Sequence, residues 1–223
     1  MVKSILISSG DNIHARILLD ELKKNSVSPF LIINEEGTSR AQKLGEFLKT
    51  SSFKIPSLKT FSNYLGVKQY DSHLSIKTIK KVNPEYLIFG GCGEIIKSKL
   101  LDLAIPINIH PGMLPEFRGL DPVLWSLYFE KNLGATVHIM DKGIDTGDII
   151  ISKVLPKRKV LNVLELRLEC IRWGGTLLSK FLKNPENFKF KKQNKDNANY
   201  FKSFPKDKEK TLYKNFLKYQ SLL

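Results

Sequence analysis

The sequence of 223 residues has few cysteines and no long apolar runs. Its two cysteines, Cys92 and Cys170, are too few for a disulfide framework and lack the spacing of a metal-binding finger. The apolar run at 5–7 ends at Ser8, which is too short for a signal-peptide core. No run approaches the roughly 18 apolar residues of a membrane span. We therefore expect a cytoplasmic protein that binds no metal and does not enter a membrane.

Acidic residues are in the minority, because 36 Lys and Arg outnumber 22 Asp and Glu and give a formal net charge of +14. Such an excess attracts nucleic acid, an anionic membrane or a small polyanionic substrate, and its sign alone does not choose among them. With 42% hydrophobic residues, the chain can bury a core, which excludes wholesale disorder. The length predicts one compact domain, or one domain with a short appendage.

Short apolar runs alternate with helical patterns over the first ninety residues. Strands are predicted at 4–8, 30–33 and 86–89. Helices are predicted between them, at 39–48, at 74–82 and in a first helix whose apolar face comprises Ile13, Ile17, Leu18 and Leu22. This alternation predicts βαβ units, and hence an α/β fold with a mainly parallel sheet. Residues 53–70 have no clean period and are left unassigned.

The second half begins with a predicted buried strand at 104–109. Asp121 resembles an N-cap and Pro122 a first helical residue, so a helix is expected there, with Trp125 and Phe129 on its buried face.

Further along the chain, two β-prone runs at 134–140 and 149–154 are predicted to pair, because a tight loop rich in Asp and Gly joins them.

The last third contains a long helical pattern followed by a basic tail. Asn162 and Glu165 have capping-box spacing, and Gly174 and Gly175 are expected to weaken the helix midway. The tail at 183–218 has 11 Lys, no Arg and 4 acidic residues, so its excess of +7 is half of the total charge. Cys170 is interpreted as a small core residue.

Asn108 and His110 lie two residues apart at the end of a predicted strand, so their side chains point to the same side. An amide N–H can donate to an oxygen that becomes negative, and an imidazole can exchange protons near neutral pH. Asp145, in a loop with Gly143 and Gly147, is the best-placed acidic residue to orient the imidazole. This combination predicts acyl transfer.

Two segments carry a family resemblance: NIHPGMLPEFRG at 108–119 and ATVHIMDKGIDTGDII at 135–150. They closely resemble the folate-dependent formyltransferases, which share an Asn-x-His-Pro stretch and a distal Asp before a Gly. The resemblance implies that Asn108, His110 and Asp145 are a catalytic trio. It also implies a Rossmann-like catalytic core at 1–160 and a C-terminal extension at 161–223 that contacts a nucleotide and forms a homodimer.

The resemblance further implies 10-formyltetrahydrofolate as cosubstrate and an amine as formyl acceptor. Asn108 and protonated His110 would stabilise the oxyanion, and Asp145 would raise the pKa of His110. The folate would contact the loop after the central strand and the loop that carries the distal Asp. In this sequence these contacts correspond to Glu94, Ile95, Ile96, Asp141, Gly143 and Ile144.

Departures from the family pattern favour a nucleotide-linked amino sugar as acceptor, such as dTDP-4-amino-4,6-dideoxyglucose of surface-polysaccharide synthesis. Asp11 lies where glycinamide ribonucleotide enzymes hold a phosphate, and would repel it. The roughly 60 residues after the last core strand are also expected to be too few for the tRNA-binding domain of initiator-tRNA formyltransferases. The predicted substrate contacts are Asn12, Arg118, Tyr200 and Phe201.

Two alternatives remain open from the sequence. The first is phosphoribosylglycinamide formyltransferase, and the second is a basic RNA-binding module on an inactive core, although no RNA-binding signature is present. A hydrolase that deformylates the same folate would keep all three residues of the trio, but it is expected to carry a regulatory domain for which this length leaves no room. His14, His73 and His138 are interpreted as structural, although His138 lies close enough to Asp145 in the expected hairpin to line the pocket.

Overall fold

The computed structural model describes residues 2–35, 56–71, 76–91, 102–194 and 196–221. Several sequence predictions lie outside these described residues: the helix at 39–48, the cofactor contacts Glu94, Ile95 and Ile96, and the side chains of His73 and Cys92. The described chain divides into two compact units. One comprises Met1–Asn108 and Leu178–Pro185, and the other Ile109–Leu177 and Glu186–Leu223.

The first unit contains a parallel arrangement of strands with helices between them. Its elements are β1 (Ser4–Ser9), α1 (Ile13–Lys24), β2 (Leu31–Glu35), α2 (Leu58–Leu65), β3 (Lys68–Asp71), α3 (Ile76–Val82), β4 (Tyr86–Phe89) and the first part of β5 (Ile105–His110). The pairs β1–β2, β1–β4, β2–β3 and β4–β5 are all parallel. Every residue of β1 and β4 is buried, as expected for strands covered on both faces.

The helix α1 shows why the first unit folds as the pattern predicts. Its N-cap Asn12 accepts a hydrogen bond from the Ala15 backbone N–H at 2.9 Å, which satisfies one of the free donors of the first turn. The predicted apolar face is confirmed, since its four residues are all buried: Ile13, Ile17, Leu18 and Leu22.

The second unit contains the predicted hairpin. Its elements are the end of β5, β6 (Arg118–Gly119), α4 (Pro122–Tyr128), β7 (Gly134–Ile139), β8 (Ile149–Val154), most of α5 (Val163–Lys183), β9 (Tyr200–Phe201) and α6 (Glu209–Ser221). β7 and β8 pair antiparallel, which confirms the predicted pairing. β6 and β9 form a separate two-stranded sheet.

Within the first unit the strand order is β3-β2-β1-β4-β5, and within the second the end of β5 is followed by β7 and β8. The α/β fold with a mainly parallel sheet and a short C-terminal extension of helix and strand is therefore confirmed. The predicted boundary between a catalytic core and an extension at residue 160 stays a prediction. In the part of the chain that is described, no helix has the length and apolar character needed to cross a membrane.

The start of α4 differs from the sequence prediction in one respect. Asp121 is at the N-cap position with Pro122 behind it, but its side chain makes no capping bond. Its carboxylate instead accepts hydrogen bonds from Arg167 Nη2 at 2.9 Å and from the Phe204 backbone N–H at 3.0 Å. An N-cap residue normally has an extended backbone, whereas Asp121 is left-handed with φ of 52°. Its carboxylate therefore bonds Arg167 and Phe204 instead of the first turn of α4.

The helix α5 is uninterrupted, in contrast to the weakening expected at Gly174. The Asn162 side chain accepts from the Glu165 backbone N–H at 2.9 Å, as the capping box predicts. The Glu165 carboxylate reaches back to the Leu161 backbone N–H, one residue further than the standard motif. A Cβ at Gly174 would lie 2.3 Å from Ile109 Cγ2, so this glycine permits close packing of α5 against the end of β5.

We expect Gly174→Ala to destabilise the protein by about 1–3 kcal/mol, because the added methyl overlaps Ile109. Without this overlap the substitution would stabilise α5, since alanine is a better helix former than glycine by about 1 kcal/mol. A loss of stability would therefore report the contact with Ile109. Denaturant unfolding measures the change in the free energy of unfolding. The same substitution made in an Ile109→Ala background should cost less, and an equal cost in both backgrounds would contradict this account of the contact.

Candidate active site

His110 is the last residue of β5, and it is almost completely buried. Its Nε2 lies 2.6 Å from the Phe117 carbonyl oxygen. Because a carbonyl only accepts, Nε2 carries the hydrogen, and Nδ1 is the atom that faces Asp145 Oδ2 at 3.5 Å. The loop after β5 thus brings the Phe117 carbonyl to the His110 ring, and this hydrogen bond fixes the orientation of the imidazole.

Asp145 lies in the loop between β7 and β8, in a left-handed backbone conformation with φ of 54°. Its Oδ2 accepts a hydrogen bond from the Gly119 backbone N–H at 2.8 Å. Its Oδ1 lies 3.5 Å from Nε2 of the buried His138. The carboxylate is therefore placed between two imidazole rings and one backbone donor. The structure brings His110 and Asp145 together as predicted.

Burial and charge oppose each other at this pair. Burial alone raises the pKa of Asp145, but His110, His138 and the Gly119 N–H lower it from 3.8 to about 2. Burial lowers the pKa of His110 below 6.5, and this effect outweighs the opposing charge of Asp145. Asp145 raises the pKa of His110, as predicted, but the net change in that pKa is a decrease. The expectation of a protonated His110 is therefore wrong for the free site, because a pKa lowered by burial favours the neutral imidazole near pH 7, which can accept a proton.

Asn108 belongs to β5, where it is half-buried and lies opposite Phe89 of β4 in the strand register. Because strand residues alternate between faces, its side chain leaves β5 on the same face as that of His110. Its part in a catalytic trio stays a prediction.

The loop after β7 contains the described part of the predicted folate contacts. Asp141 Oδ1 accepts from the Gly143 backbone N–H at 3.0 Å and from the Thr146 hydroxyl, so its side chain shapes the loop. Ile144, next to Asp145, leaves 52% of its surface exposed. Its side chain therefore presents apolar surface to solvent.

Two of the predicted substrate contacts, Asn12 and Arg118, have side chains that form hydrogen bonds within the protein. Asn12 is buried, and its amide donates to Ser8 Oγ at 3.0 Å and to the Ser9 carbonyl at 3.1 Å while its oxygen caps α1. Arg118 donates through Nε and Nη2 to Gln193 Oε1. These groups already have protein partners, and their substrate contacts stay predictions.

Tyr200 and Phe201 form β9, which pairs with Arg118 and Gly119 of β6. A Cβ on Gly119 would lie 2.8 Å from Tyr200 Cε2, so the tyrosine ring lies directly over this glycine. The same Gly119 donates to Asp145. Tyr200 is 54% exposed, so part of this aromatic side chain is open to solvent.

Phe201 joins a group of rings here termed the aromatic patch: Trp125, Tyr128, Phe129, Phe201 and Phe204. The expectation that Phe129 is buried is wrong, because it is 46% exposed. Trp125 is half-buried, and it stacks on Phe129 with centroids 5.9 Å apart and lies 4.8 Å from Phe201. Contacts with β9 thus replace the predicted core contacts.

Sequence reasoning undervalued His138 and missed Gln193. The hairpin pattern already placed His138 near Asp145, so a signal existed. Gln193 lies in the Lys-rich tail, and nothing in its sequence surroundings marks it. Its amide donates to the Asp145 and Gly147 carbonyls at 2.9 and 2.7 Å. Among the described residues, no group of three or more His, Cys, Asp or Glu is placed to hold a metal ion.

Comparison with known proteins gives one family. A model of the family described as formyl transferase matches residues 2–163. The methionyl-tRNA formyltransferase of Ehrlichia ruminantium (strain Welgevonden) is 35% identical over 127 residues. That match covers 55% of this chain and 41% of the Ehrlichia protein, so the matched region spans about two fifths of the relative's length.

Solved structures share the fold. An N-formyltransferase from Helicobacter canadensis, in complex with folinic acid and dTDP-3-aminofucose, superimposes with a TM-score of 0.64 at 19% identity, covering 91% of this chain and 71% of the other. A phosphoribosylglycinamide formyltransferase from Streptococcus pneumoniae TIGR4 gives a TM-score of 0.59 at 19% identity, covering 83% and 99%. At these identities the likeness concerns the fold.

Proposed function

The chain belongs to the formyl transferase family, and from this membership we propose that it transfers a formyl group from 10-formyltetrahydrofolate to the amine of a nucleotide-linked amino sugar. The observation that supports formyl transfer most directly is the buried pair of His110 and Asp145, with Nδ1 and Oδ2 3.5 Å apart. Its neutral imidazole and charged carboxylate are the protonation states that an amine acceptor requires.

The reaction requires that the acceptor amine lose a proton and that the formyl oxygen be stabilised as it gains negative charge. His110 takes the proton, and Asp145 stabilises the imidazolium that results. The amide of Asn108 donates to the oxygen. The proton on His110 then leaves with the folate nitrogen, so His110 ends the cycle neutral. Each protein group that takes part in these reaction steps belongs to the predicted trio.

For the folate, we propose Ile144 as an apolar contact, with backbone groups at Asp141 and Gly143 as hydrogen-bonding partners. The exposure of Ile144 beside Asp145 supports this assignment. Glu94, Ile95 and Ile96 complete the proposed contacts. When bound, 10-formyltetrahydrofolate supplies the formyl group.

For the acceptor, the exposed ring of Tyr200 over Gly119 supports a substrate with a nucleobase, because a base can stack on an aromatic face. The N-terminus of α1 supports the same choice. Asp11 there accepts from the Leu58 backbone N–H at 2.8 Å and pairs with Arg16, while Asn12 caps the helix. A ribonucleotide phosphate would have to displace these bonds and approach a carboxylate.

We expect purified protein with 10-formyltetrahydrofolate to formylate a dTDP-linked amino-dideoxyhexose, and to leave glycinamide ribonucleotide and initiator Met-tRNA nearly unchanged. Tyr200→Ala should raise KM for the nucleotide-sugar by about 5- to 140-fold, since base stacking contributes about 1–3 kcal/mol, while KM for the folate stays constant. Initial-rate assays with each acceptor measure both effects.

The matched control is Tyr213→Ala, which removes an exposed tyrosine of α6 whose ring lies near Phe216 instead of Gly119. This variant should keep the parental KM. Efficient turnover of glycinamide ribonucleotide or Met-tRNA, with every amino-sugar nucleotide inactive, would overturn the proposed substrate class. Equal KM changes for Tyr200 and Tyr213 variants would remove the stacking role.

A further inference from the structure

The loop that carries Asp145 needs support from outside itself. Asp145 is a non-glycine residue with φ of 54°, a conformation that costs about 1–3 kcal/mol and persists only where surrounding contacts determine it. Within the loop, the Asp141 carboxylate accepts hydrogen bonds from Gly143 and Thr146, one on each side of Asp145. Neither bond involves the carbonyl of Asp145. The contacts that do so come from another part of the chain.

Gln193 supplies these contacts. Arg118 donates to Gln193 Oε1 from Nε at 3.0 Å and from Nη2 at 2.7 Å. A guanidinium only donates, so the Gln193 oxygen must face Arg118 and its NH₂ group must face the loop. That group donates to the Asp145 carbonyl at 2.9 Å and to the Gly147 carbonyl at 2.7 Å. Both hydrogens of the amide are thus used on the loop, one on each side of Thr146.

The C-terminal segment is fastened on both sides of Gln193. Ile149 and Lys191 exchange two backbone hydrogen bonds of 2.8 and 2.9 Å. The Arg118 backbone N–H donates to the Asn199 carbonyl at 3.0 Å, and β9 then pairs with β6. Gln193 is therefore fixed relative to both the Asp145 loop and Gly119, the backbone donor to the Asp145 carboxylate.

We propose that Gln193, oriented by Arg118, is a positioning residue that holds Asp145 in place against His110. The C-terminal segment is then part of the catalytic arrangement and not only a nucleotide-binding extension. The expected effect on kcat rests on the proposed function. The expected effect on the placement of Asp145 does not, because the hydrogen bonds that hold Asp145 exist without substrate.

Gln193→Glu is the informative substitution. A carboxylate of the same length keeps the bonds from Arg118, and the tail keeps its backbone pairing with Ile149. On the loop side it loses the two donated bonds, since a carboxylate has no hydrogen to give, and its oxygen then faces the Asp145 and Gly147 carbonyl oxygens, which repel it. Gln193→Ala removes both sets of bonds. Lys192→Ala is the matched control, because it alters the exposed neighbour in the same segment.

Two readouts test the proposal. Formyl transfer should show kcat reduced at least about tenfold in Gln193→Glu and Gln193→Ala, since a misplacement near 1 Å can cost up to about 10²-fold, with KM values little changed. Amide hydrogen exchange on the substrate-free protein should show about tenfold lower protection at Gly119, whose N–H donates to Asp145. Amides of β1 should keep their protection, and Lys192→Ala should match the parent in both readouts.

Parental kcat and parental Gly119 protection in Gln193→Glu would overturn the positioning role. A uniform loss of protection, including β1, would also overturn it, because the residue would then act only on global stability. If the parent transfers no formyl group to any amine, the proposed function fails, and Gly119 exchange still decides the placement of Asp145 by Gln193.

Discussion

Replacement of His110 by alanine is expected to lower formyl transfer at least a hundredfold, on the order of 10²–10⁴ for a lost acid–base group. His110 is buried, neutral near pH 7, and held by the Phe117 carbonyl and Asp145. Single-turnover rates with saturating folate measure the loss free of product release.

His110→Gln serves as the second variant of the same site. It keeps a side-chain N–H for the Phe117 carbonyl but cannot take a proton near neutral pH. Both variants should therefore be slow, while the thermal shift produced by folate binding persists. Normal turnover in a folded glutamine variant would remove His110 from the proton-transfer step.

Replacement of Asp145 by asparagine is expected to reduce the rate by about a hundredfold and to shift the acidic limb of the pH profile to lower pH. An asparagine oxygen can still accept from the Gly119 N–H, so the loop keeps that bond. The negative charge, which raises the pKa of His110 against the larger effect of burial, is lost. The pKa of His110 then falls further below 6.5, and kcat/KM measured against pH reports the shift.

The same substitution has a predictable effect on stability. The folded state lowers the pKa of Asp145 from 3.8 to about 2, so the carboxylate contributes stability that is present above pH 3.8 and lost as the pH falls towards 2. The asparagine variant has no carboxyl group to titrate, so its free energy of unfolding should lack this part of the acid dependence, about 2 kcal/mol as the pH falls from 3.8 towards 2. Unfolding of both proteins measured against pH reports this difference, and unfolding at the assay pH shows whether the variant is folded there. An unchanged rate and an unchanged pH profile would leave Asp145 a structural role alone.

Local patterns predicted the features that neighbouring residues determine. The period of apolar residues identified α1, because a helix places every third or fourth residue on one face and all four predicted core residues are buried. Alternation identified the β7–β8 hairpin in the same way. Asn108 and His110 share a face of β5 because a strand has a period of two.

Other features were missed because they depend on residues that are distant in sequence. Phe129 satisfies the pattern of a buried helix face, yet it is exposed, and its ring centroid lies 5.9 Å from that of Phe201 in β9. Asp121 satisfies the pattern of a helix cap, yet its carboxylate bonds Arg167 and Phe204. In each case a partner at the far end of the chain competes with the local interaction, and no local pattern contains that partner.

The sequence by itself determined the α/β fold and the family, and it predicted the candidate site residues, because these depend on short-range periodicity and on motifs within two segments. Only the tertiary structure decided the environment of these residues. It places Asp145 between His110 and His138, sets the pKa of His110 by burial, and brings the Gln193 amide to the Asp145 carbonyl across 48 positions of the chain. Burial and side-chain hydrogen bonds are properties of the packed molecule, and they arise only when distant segments meet.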